Sequence, residues 1–539
     1  MKKFMIGLCL LYLNCIAYDG QLDTSFGNNG LVTTFINNFS VILGVVIQSD
    51  NKIVVGGWSG TSGVLGQNFS LARYNVNGTL DGSFGNAGIV ITSLPGSNSE
   101  IKSIVLQTDG KIVVGGFATI GGFNSFMLAR YNTDGSLDNT FGNAGIVISN
   151  VGVSTGIVSI ALQSDGKIVA LGQPINGLPG FIIARYYSNG TLDNGSEGGS
   201  GFGANGIVIV NLTGSNEAAS IAVQEDGSIV AGGSTGPSGS RSLIVLRVTS
   251  SGSLDMSFGI NGSVITSFPS DAQGTNLKVQ RDGKIVLIGF TGPTNSREFA
   301  LVRYNSNGAL DTAFGSGGIV TTSLGGNDQI FEVVFQADDK LIVGGTSNVP
   351  GQNSFVLTRY TANGAIDLTF NPASSTPGTV FTTFGTDNSQ ISSLALQQNG
   401  RIVAAGNVLT SVVTSGFALA RYLDNTLLPF TQITVPINNV IFSSPLLTVS
   451  GTAQNPSNIG IFADGILIGS TVTSGSANNW SLITTVPLTA GIHVITAVAE
   501  YKDGNVNLPS SNSVTIVVNN CRSALSLSIA SKYCPETLR

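Results

Sequence analysis

Short apolar runs, separated by turns rich in glycine, asparagine and aspartate, follow one another along most of the chain. Runs of this length between such turns predict β-strands rather than helices. Two-residue turns such as Asp109-Gly110 join the second and third runs of a group, and they predict tight hairpins because both residues tolerate positive φ. The pattern predicts antiparallel groups of four strands, and the second group comprises Ile89 to Thr92, Ile101 to Gln107, Lys111 to Phe117 and Phe126 to Asn132.

A marker segment, Leu-Asp-x-Ser/Thr-Phe-Gly, recurs about every 57 residues and divides the chain into seven copies of one unit. Four strands per copy is typical of a propeller blade. We therefore predict an all-β protein with a seven-bladed β-propeller of four-stranded blades over residues 18–427. A linear β-solenoid is the alternative, although its coils usually have shorter periods. The marker aspartates are Asp23, Asp81, Asp138, Asp193, Asp255, Asp311 and Asp367.

An arginine lies eight residues before six of these aspartates, on a strand that we predict to be mostly buried. A buried guanidinium needs a carboxylate partner, because an unpaired buried charge is costly. Asp23 has no such arginine, and Arg421 has no such aspartate. We predict that the N-terminal strand Leu31 to Phe35 closes the last blade and brings these two residues together. A ring of ligand-binding arginines is the alternative. The predicted structural pairs are Arg73 with Asp81, Arg130 with Asp138, Arg185 with Asp193, Arg247 with Asp255, Arg303 with Asp311, Arg359 with Asp367, and Arg421 with Asp23.

The runs Leu106 to Val113, Ala129 to Tyr131 and Leu137 to Gly142 make the unit similar to the bacterial delta-60 repeat. The resemblance covers roughly residues 21–424. Two departures are an insertion at Asn194 to Gly201 and Asn371 in place of a terminal glycine. The resemblance implies an extracytoplasmic repeat protein for which no activity is established.

Alternating residues replace the marker pattern beyond residue 428, where we predict a second domain over 428–518. The segments Val449 to Ala453, Asp464 to Gly469 and Gly491 to Ala499 resemble bacterial immunoglobulin-like domains. That resemblance spans about 431–518 and implies a β-sandwich spacer with Trp480 as a core aromatic residue. In the tail, 519–539, two cysteines favour a disulfide over a metal site, and they are Cys521 and Cys534.

The chain of 539 residues has only 10% charged residues, a net charge of -6 and a pI near 4.9. This balance disfavours a nucleic-acid partner, which would need a basic surface. Lys2 and Lys3 precede an apolar run from Phe4 to Leu13, and Cys15 and Ala17 have the spacing of a cleavage site. We predict a cleaved signal peptide at 1–17, no transmembrane segment, export to the periplasm, cell surface or medium, and a monomer.

Catalytic motifs are absent from the sequence. Its single histidine, His493, excludes Ser-His-Asp and multi-histidine metal sites from the propeller. It has no GxxxxGK[ST] phosphate loop. Turns such as Asn132 to Asp138 resemble calcium loops, but most copies lack the ligand aspartate, and the bidentate glutamate is missing. We predict no cofactor, no metal and no enzymatic activity.

The remaining candidates lie where the copies differ. The loops Trp58 to Asn68, Gln173 to Gly180 and Asn407 to Gly416 are variable, and alternating strand directions place them on one face. Five polar residues precede the innermost strands there, and around the mouth of a central channel they would suit a sugar, a peptide end or a cation. Ordinary solvated loop polarity is the alternative. These mouth residues are Glu100, Glu217, Gln273, Gln329 and Gln390.

Three functions fit this sequence. We favour a secreted or cell-surface binding or adhesion protein that holds an unknown carbohydrate or protein ligand on one propeller face. A carbohydrate-active hydrolase or lyase that uses carboxylates is the second hypothesis. A purely structural envelope protein is the third.

Overall fold

The structure, a computed structural model, describes residues 19–61, 66–94, 97–174, 180–197, 201–212, 214–349, 351–411, 414–424, 431–435, 440–442, 448–453, 457–463, 466–472, 479–483, 491–501 and 513–518. These residues form β-strands and no α-helix, which confirms the predicted all-β class. Accordingly, the described ranges contain no helix that could cross a membrane. The chain divides into two compact units, residues 1–397 with 401–424 and residues 398–400 with 425–539.

The first unit consists of antiparallel four-stranded blades whose innermost strands contact one another in a closed ring. The innermost strands are β2 (Phe39–Ile47), β6 (Ser99–Leu106), β10 (Thr155–Leu162), β14 (Glu217–Val223), β18 (Ala272–Val279), β22 (Gln329–Phe335) and β26 (Asn388–Leu396). The second strands are β3 (Ile53–Gly60), β7 (Ile112–Ile120), β11 (Ile168–Pro174), β15 (Ile229–Thr235), β19 (Ile285–Thr291), β23 (Leu341–Ser347) and β27 (Ile402–Ser411).

Two further strands complete each blade and lie progressively farther from the channel. The third strands are β4 (Asn68–Tyr74), β8 (Phe123–Tyr131), β12 (Phe181–Tyr186), β16 (Ser242–Val248), β20 (Glu298–Tyr304), β24 (Ser354–Tyr360) and β28 (Thr414–Tyr422). The outermost strands are β1 (Leu31–Thr34), β5 (Ile89–Thr92), β9 (Ile146–Ser149), β13 (Ile207–Val210), β17 (Ser263–Thr266), β21 (Ile319–Thr322) and β25 (Thr379–Thr382). We number the blades 1 to 7 from β2.

The ring closes through the N-terminal strand. Strand β1 pairs antiparallel with β28, with Leu31 opposite Ala420 and Thr34 opposite Phe417. Blade 7 therefore takes three strands from the C-terminal end of the repeat region and one from its N-terminal end. This confirms the predicted seven-bladed propeller and the closure of its last blade, although the closing strand ends at Thr34 rather than at Phe35.

The apolar core lies between neighbouring blades. Phe84 from blade 1 packs in one buried cluster with Ile101 and Tyr131 from blade 2. A buried tyrosine hydroxyl needs a polar partner, and Tyr131 shares a hydrogen bond of 2.7 Å with Thr92 on the outermost strand of blade 1. Equivalent bonds recur between other blades, as from Tyr422 to Thr382 at 2.7 Å. The repeated tyrosine thus connects each of these blades to the one before it.

A β-bulge interrupts the innermost strand of every blade. In blade 2 the register between β6 and β7 shifts between Ile101 and Ser103. A Cβ on Gly116 would overlap the carbonyl oxygen of Glu100 at this bulge. The glycine gives the bulged backbone room for close approach. The sequence predicted that this run ends at Phe117, whereas β7 continues to Ile120.

The second unit contains two packed sheets, one with the order β29-β31-β34 and one with the order β30-β36-β35-β32-β33. Its strands are β29 (Thr431–Val435), β30 (Val440–Phe442), β31 (Thr448–Ala453), β32 (Ser457–Ala463), β33 (Ile466–Val472), β34 (Asn479–Ile483), β35 (Gly491–Tyr501) and β36 (Ser513–Val518). The immunoglobulin-like assignment stays a prediction. The signal peptide 1–17, the tail 519–539 with Cys521 and Cys534, and the side chains of Trp480 and His493 lie outside the described residues.

Candidate functional site

The two ends of the propeller differ in character. The Asp-Gly hairpins and the marker turns lie at one end, which we call the hairpin face. The loops between second and third strands and the links between blades lie at the other end, which we call the variable face. In blade 2 the register places Arg130 opposite Val113 near the hairpin face and Phe126 opposite Phe117 near the variable face. The predicted ion pairs and the predicted mouth residues are therefore at opposite ends.

The seven arginines are buried or nearly so at the hairpin face. Six join their Nε to an Oδ2 of the marker aspartate at 2.7–2.8 Å, and Arg421 lies 3.0 Å from Asp23. Each guanidinium also covers a marker phenylalanine, as Arg130 does over Phe141 at 4.6 Å. This geometry favours a structural role for the arginines over contact with a ligand.

The mouth residues are half-buried at the start of the innermost strands, each just before the bulge. Two of the five, Glu217 and Gln390, line the cavity of about 830 Å³ that the innermost strands enclose. Gln273 reaches this wall by donating a hydrogen bond from Nε2 to Glu217 Oε2. Glu100 contacts Lys102, and Gln329 contacts Arg297. The five residues lie at the start of neighbouring innermost strands but have different contacts, and their role in ligand binding stays a prediction.

Arg241 is the centre of the polar network on the variable face. Its Nη1 lies 2.6 Å from Glu217 Oε1 in the same blade, and its Nη2 lies 2.6 Å from Asp271 Oδ2 in the next. A second bond of 3.1 Å, from Nε to Asp271 Oδ1, makes the latter contact bidentate. The hydrogen bond from Arg241 holds the pKa of Asp271 below its usual value, against the opposing effect of burial. Both carboxylates are thus held by one shared guanidinium, and the lowered pKa keeps Asp271 ionised.

Arg297 occupies the same repeat position one blade later. It lies six residues before Arg303, as Arg241 lies six before Arg247. Its Nη1 donates to Gln329 Oε1 at 2.9 Å, and its guanidinium lies 4.4 Å from the ring centre of Phe290. Sequence reasoning missed both mouth arginines. The available signal was an arginine at the same position of consecutive variable loops.

Aromatic rings accompany the polar groups at the mouth. In blade 1 the equivalent position is Val41, and Trp58 opposite it stacks on Phe39 with ring centres 5.4 Å apart. In blade 2 Phe117 lies opposite Glu100, whose carboxylate is 2.6 Å from Lys102 Nζ. The mouth thus combines fixed hydrogen-bonding groups with partly exposed ring faces.

The channel wall is held by hydroxyl groups at the bulges. Ser103 Oγ accepts from the Ile160 amide at 3.2 Å, and Ser159 Oγ accepts from the Ile221 amide at 3.3 Å, each in the next blade. Ser220 Oγ donates to the Leu277 carbonyl at 3.1 Å. No cluster of three or more His, Cys, Asp or Glu suited to a metal occurs among the described residues.

Six segments of the chain match the family model described as a domain of unknown function (DUF5122) beta-propeller. Each segment begins at or next to the end of an innermost strand and extends to the marker turn. The match supports a repeat β-propeller protein, and the finer resemblance to the delta-60 repeat stays a prediction. The matched residues are 48–84, 107–141, 163–195, 224–258, 280–314 and 336–370.

Solved structures give only remote likenesses. A protein of unknown function from Dyadobacter fermentans is 9% identical with a TM-score of 0.39, covering 73% of this chain and 99% of that chain. A polysaccharide lyase is 9% identical with a TM-score of 0.39, covering 71% and 90%. The fibronectin(III)-like modules of CbhA from Clostridium thermocellum are 25% identical with a TM-score of 0.14, covering 17% and 96%. A search of curated proteins finds no match.

Proposed function

We propose that the protein is an exported binding protein that holds a carbohydrate on the variable face of its propeller. The carrying observation is the network around Arg241, which fixes Glu217, Asp271 and Gln273 at one side of the channel mouth. Side chains held by ion pairs present preorganised donors and acceptors, which lowers the entropic cost of binding. Partly exposed rings such as Trp58 add the apolar contact that sugar faces require. A protein ligand would be the second candidate for the same face.

The charges at this site favour binding over hydrolysis. A glycosidase that uses two carboxyl groups needs one of them protonated, and thus a raised pKa. Arg241 instead contacts both Glu217 and Asp271, and it lowers the pKa of Asp271. A purely structural envelope role would not require the network in which Arg241 joins Glu217 and Asp271 at the channel mouth.

The decisive test compares two arginine variants of residues 18–539 on an oligosaccharide array and by calorimetry with each hit. Arg241→Ala should weaken binding about tenfold or more, because hydrogen bonds to charged groups contribute roughly 1.5–3 kcal/mol. Arg281→Ala is the matched control, since Arg281 is exposed in a hairpin at the opposite face. Equal affinity of the two variants, or release of shortened sugars by the wild type, would refute the proposal.

A further inference from the structure

The largest departures from the repeat on the channel wall lie on two adjacent blades. At the bulge position, four blades carry serine and blade 1 carries Gly44, whereas blades 5 and 6 carry Asn276 and Glu332. Two positions after Asn276, blade 5 carries Lys278 where the other six blades have alanine or valine. The three residues lie on the adjacent innermost strands β18 and β22, and all three line the cavity. Residues that recur in the copies are those that the fold needs. Departures that cluster in space therefore indicate a requirement other than folding, such as ligand binding.

These departures are costly for the fold. Glu332 is only 8% exposed, and a buried carboxylate loses more hydration energy than the serine found in other blades. Its Oε1 accepts from the Val333 amide at 3.2 Å and lies 3.3 Å from Lys278 Nζ. Its Oε2 accepts a long bond of 3.4 Å from Ser393 Oγ. Serine suffices for the interblade bonds elsewhere, so the carboxylate is not required to close the ring.

The lysine side chain of this pair is more exposed than that of the glutamate. The Lys278 side chain is 44% exposed and that of Glu332 is 11% exposed. Lys102, which also lines the cavity, shows the same asymmetry, with 34% exposure against 14% for its partner Glu100. In both pairs the carboxylate orients the lysine, and the ammonium group contacts the channel. Glu217 and Glu332 also line the cavity, so an anion is favoured only next to the two ammonium groups on blades 2 and 5.

Asn276 offers the ligand a hydrogen-bond acceptor. Its Oδ1 is buried and has no hydrogen-bond partner among the described residues. A buried acceptor of this kind is normally satisfied, so it suits a ligand group that donates a hydrogen bond. A hydroxyl group of the ligand can donate this hydrogen bond. A carboxylate of the ligand can pair with an ammonium group.

We propose that the channel binds a sugar acid, a polyhydroxylated molecule with one carboxylate. The carboxylate contacts Lys278, and a hydroxyl donates to Asn276 Oδ1. The cavity of about 830 Å³ lies within the usual range for small-molecule sites, roughly 300–1,000 Å³. The inference rests on the proposed carbohydrate-binding function and names its ligand class.

Calorimetry on residues 18–539 tests it, with glucuronate and a glucuronate-terminated oligosaccharide as probes. Glucose and the matching neutral oligosaccharide are the uncharged controls, and acetate is the control for charge alone. We expect the acid probes to bind at least tenfold more tightly than all three controls. The tighter of the two acids identifies the source as a free acid or a chain end. Equal affinity for acid and neutral sugars, or for acetate and glucuronate, would overturn the inference.

The matched variant restores the repeat residues, Lys278→Val with Glu332→Ser. It removes both charges together, so neither is left buried without its partner, and the melting temperature should not fall. We expect it to lose the preference for acid while Lys284→Ala, at a half-buried lysine of the hairpin face, keeps it. An unchanged preference would overturn the inference. If neutral sugars bind and depend on Arg241, the proposed function stands even then; if no sugar of either kind binds, both fail.

Discussion

At the scale of single residues, the repeated arginine connects three parts of the propeller. Arg130 Nε lies 2.7 Å from Asp138 Oδ2 in the marker turn of its own blade. Its Nη1 donates to the Ser188 carbonyl of the next blade at 2.5 Å. Burial by itself would raise the pKa of Asp138, but hydrogen bonds from Thr140 and Lys111 and the charge of Arg130 hold it well below its usual range. The aspartate is therefore ionised and dependent on its partners.

Replacing this arginine should destabilise the protein far more than replacing an exposed arginine. We expect Arg130→Met to lower the free energy of unfolding by roughly 3–5 kcal/mol, because it leaves the carboxylate of Asp138 buried with a weaker partner set. Urea denaturation measures this, with Arg281→Met as the exposed control. The double variant Arg130→Met with Asp138→Leu should regain part of the loss, since no charge is then stranded. Equal midpoints for the two single variants would contradict the argument.

At the scale of elements, the bulge and its glycine determine the shape of the innermost strands. In β3 a Cβ on Gly57 would overlap the Val41 carbonyl oxygen at the bulge. A Cβ on the neighbouring Gly56 would meet only side-chain atoms of Ile101, Ile104 and Leu71 at 3.4–3.5 Å, an ordinary contact distance. Of these two adjacent glycines, only Gly57 lies where the backbone leaves no room for a Cβ atom.

This difference predicts opposite effects of the same substitution. Gly57→Ala should destabilise the protein by about 1–3 kcal/mol or more, because the bulged backbone must move. Gly56→Ala should change stability by less than about 1 kcal/mol and can stabilise, since alanine restricts the unfolded chain. Melting temperatures of the two variants measure the contrast. A Gly57→Ala protein as stable as the wild type would show that the bulge tolerates the extra atom.

Most elements of the propeller were predictable from the sequence, but the bulges and the contacts between blades were not. Comparison of the seven copies was enough to predict the strands, the hairpins and the closure by β1, because each signal recurs. The bulges were not predictable, since a register shift between two strands leaves no pattern in either one alone. Arg241 was missed for a similar reason: its partner Asp271 is 30 residues away in another variable loop. Lys278 and Glu332 meet only because β18 and β22 are neighbours in the ring.

At the scale of the whole molecule, the N- and C-terminal segments of the repeat region together rebuild one marker turn. Gly20, with φ of 86°, corresponds to Gly135 in blade 2, with φ of 87°. The Gly20 amide donates to the Leu423 carbonyl at 2.8 Å, as the Gly135 amide donates to the Asn132 carbonyl at 3.0 Å. In this correspondence Asp424 takes the place of Thr133 and Asp19 that of Asp134. The break in the ring therefore falls between two consecutive positions of an ordinary turn.

Buried charged side chains hold the two sides of this break together. In most blades the arginine Nη1 donates to a backbone carbonyl of the following turn, as Arg303 does to Ala362 at 2.5 Å. At the break, Arg359 Nη1 instead lies 3.2 Å from Asp19 Oδ2 and 3.5 Å from Asp424 Oδ1. One carboxylate comes from each segment. The arginine thus holds together two pieces of chain that a peptide bond joins in the other blades.

This correspondence predicts that the propeller can be circularly permuted without a linker. Joining Asp424 directly to Asp19 and opening the chain between Thr133 and Asp134 should restore one turn and cut an equivalent one. We expect the permuted residues 19–424 to melt within a few degrees of the unpermuted propeller, with the same far-ultraviolet circular dichroism. The same join with the chain opened between Val113 and Val114, inside β7, should not fold, because a buried strand is then broken. If both permutants fold equally well, or neither folds while the unpermuted propeller does, the two turns are not equivalent.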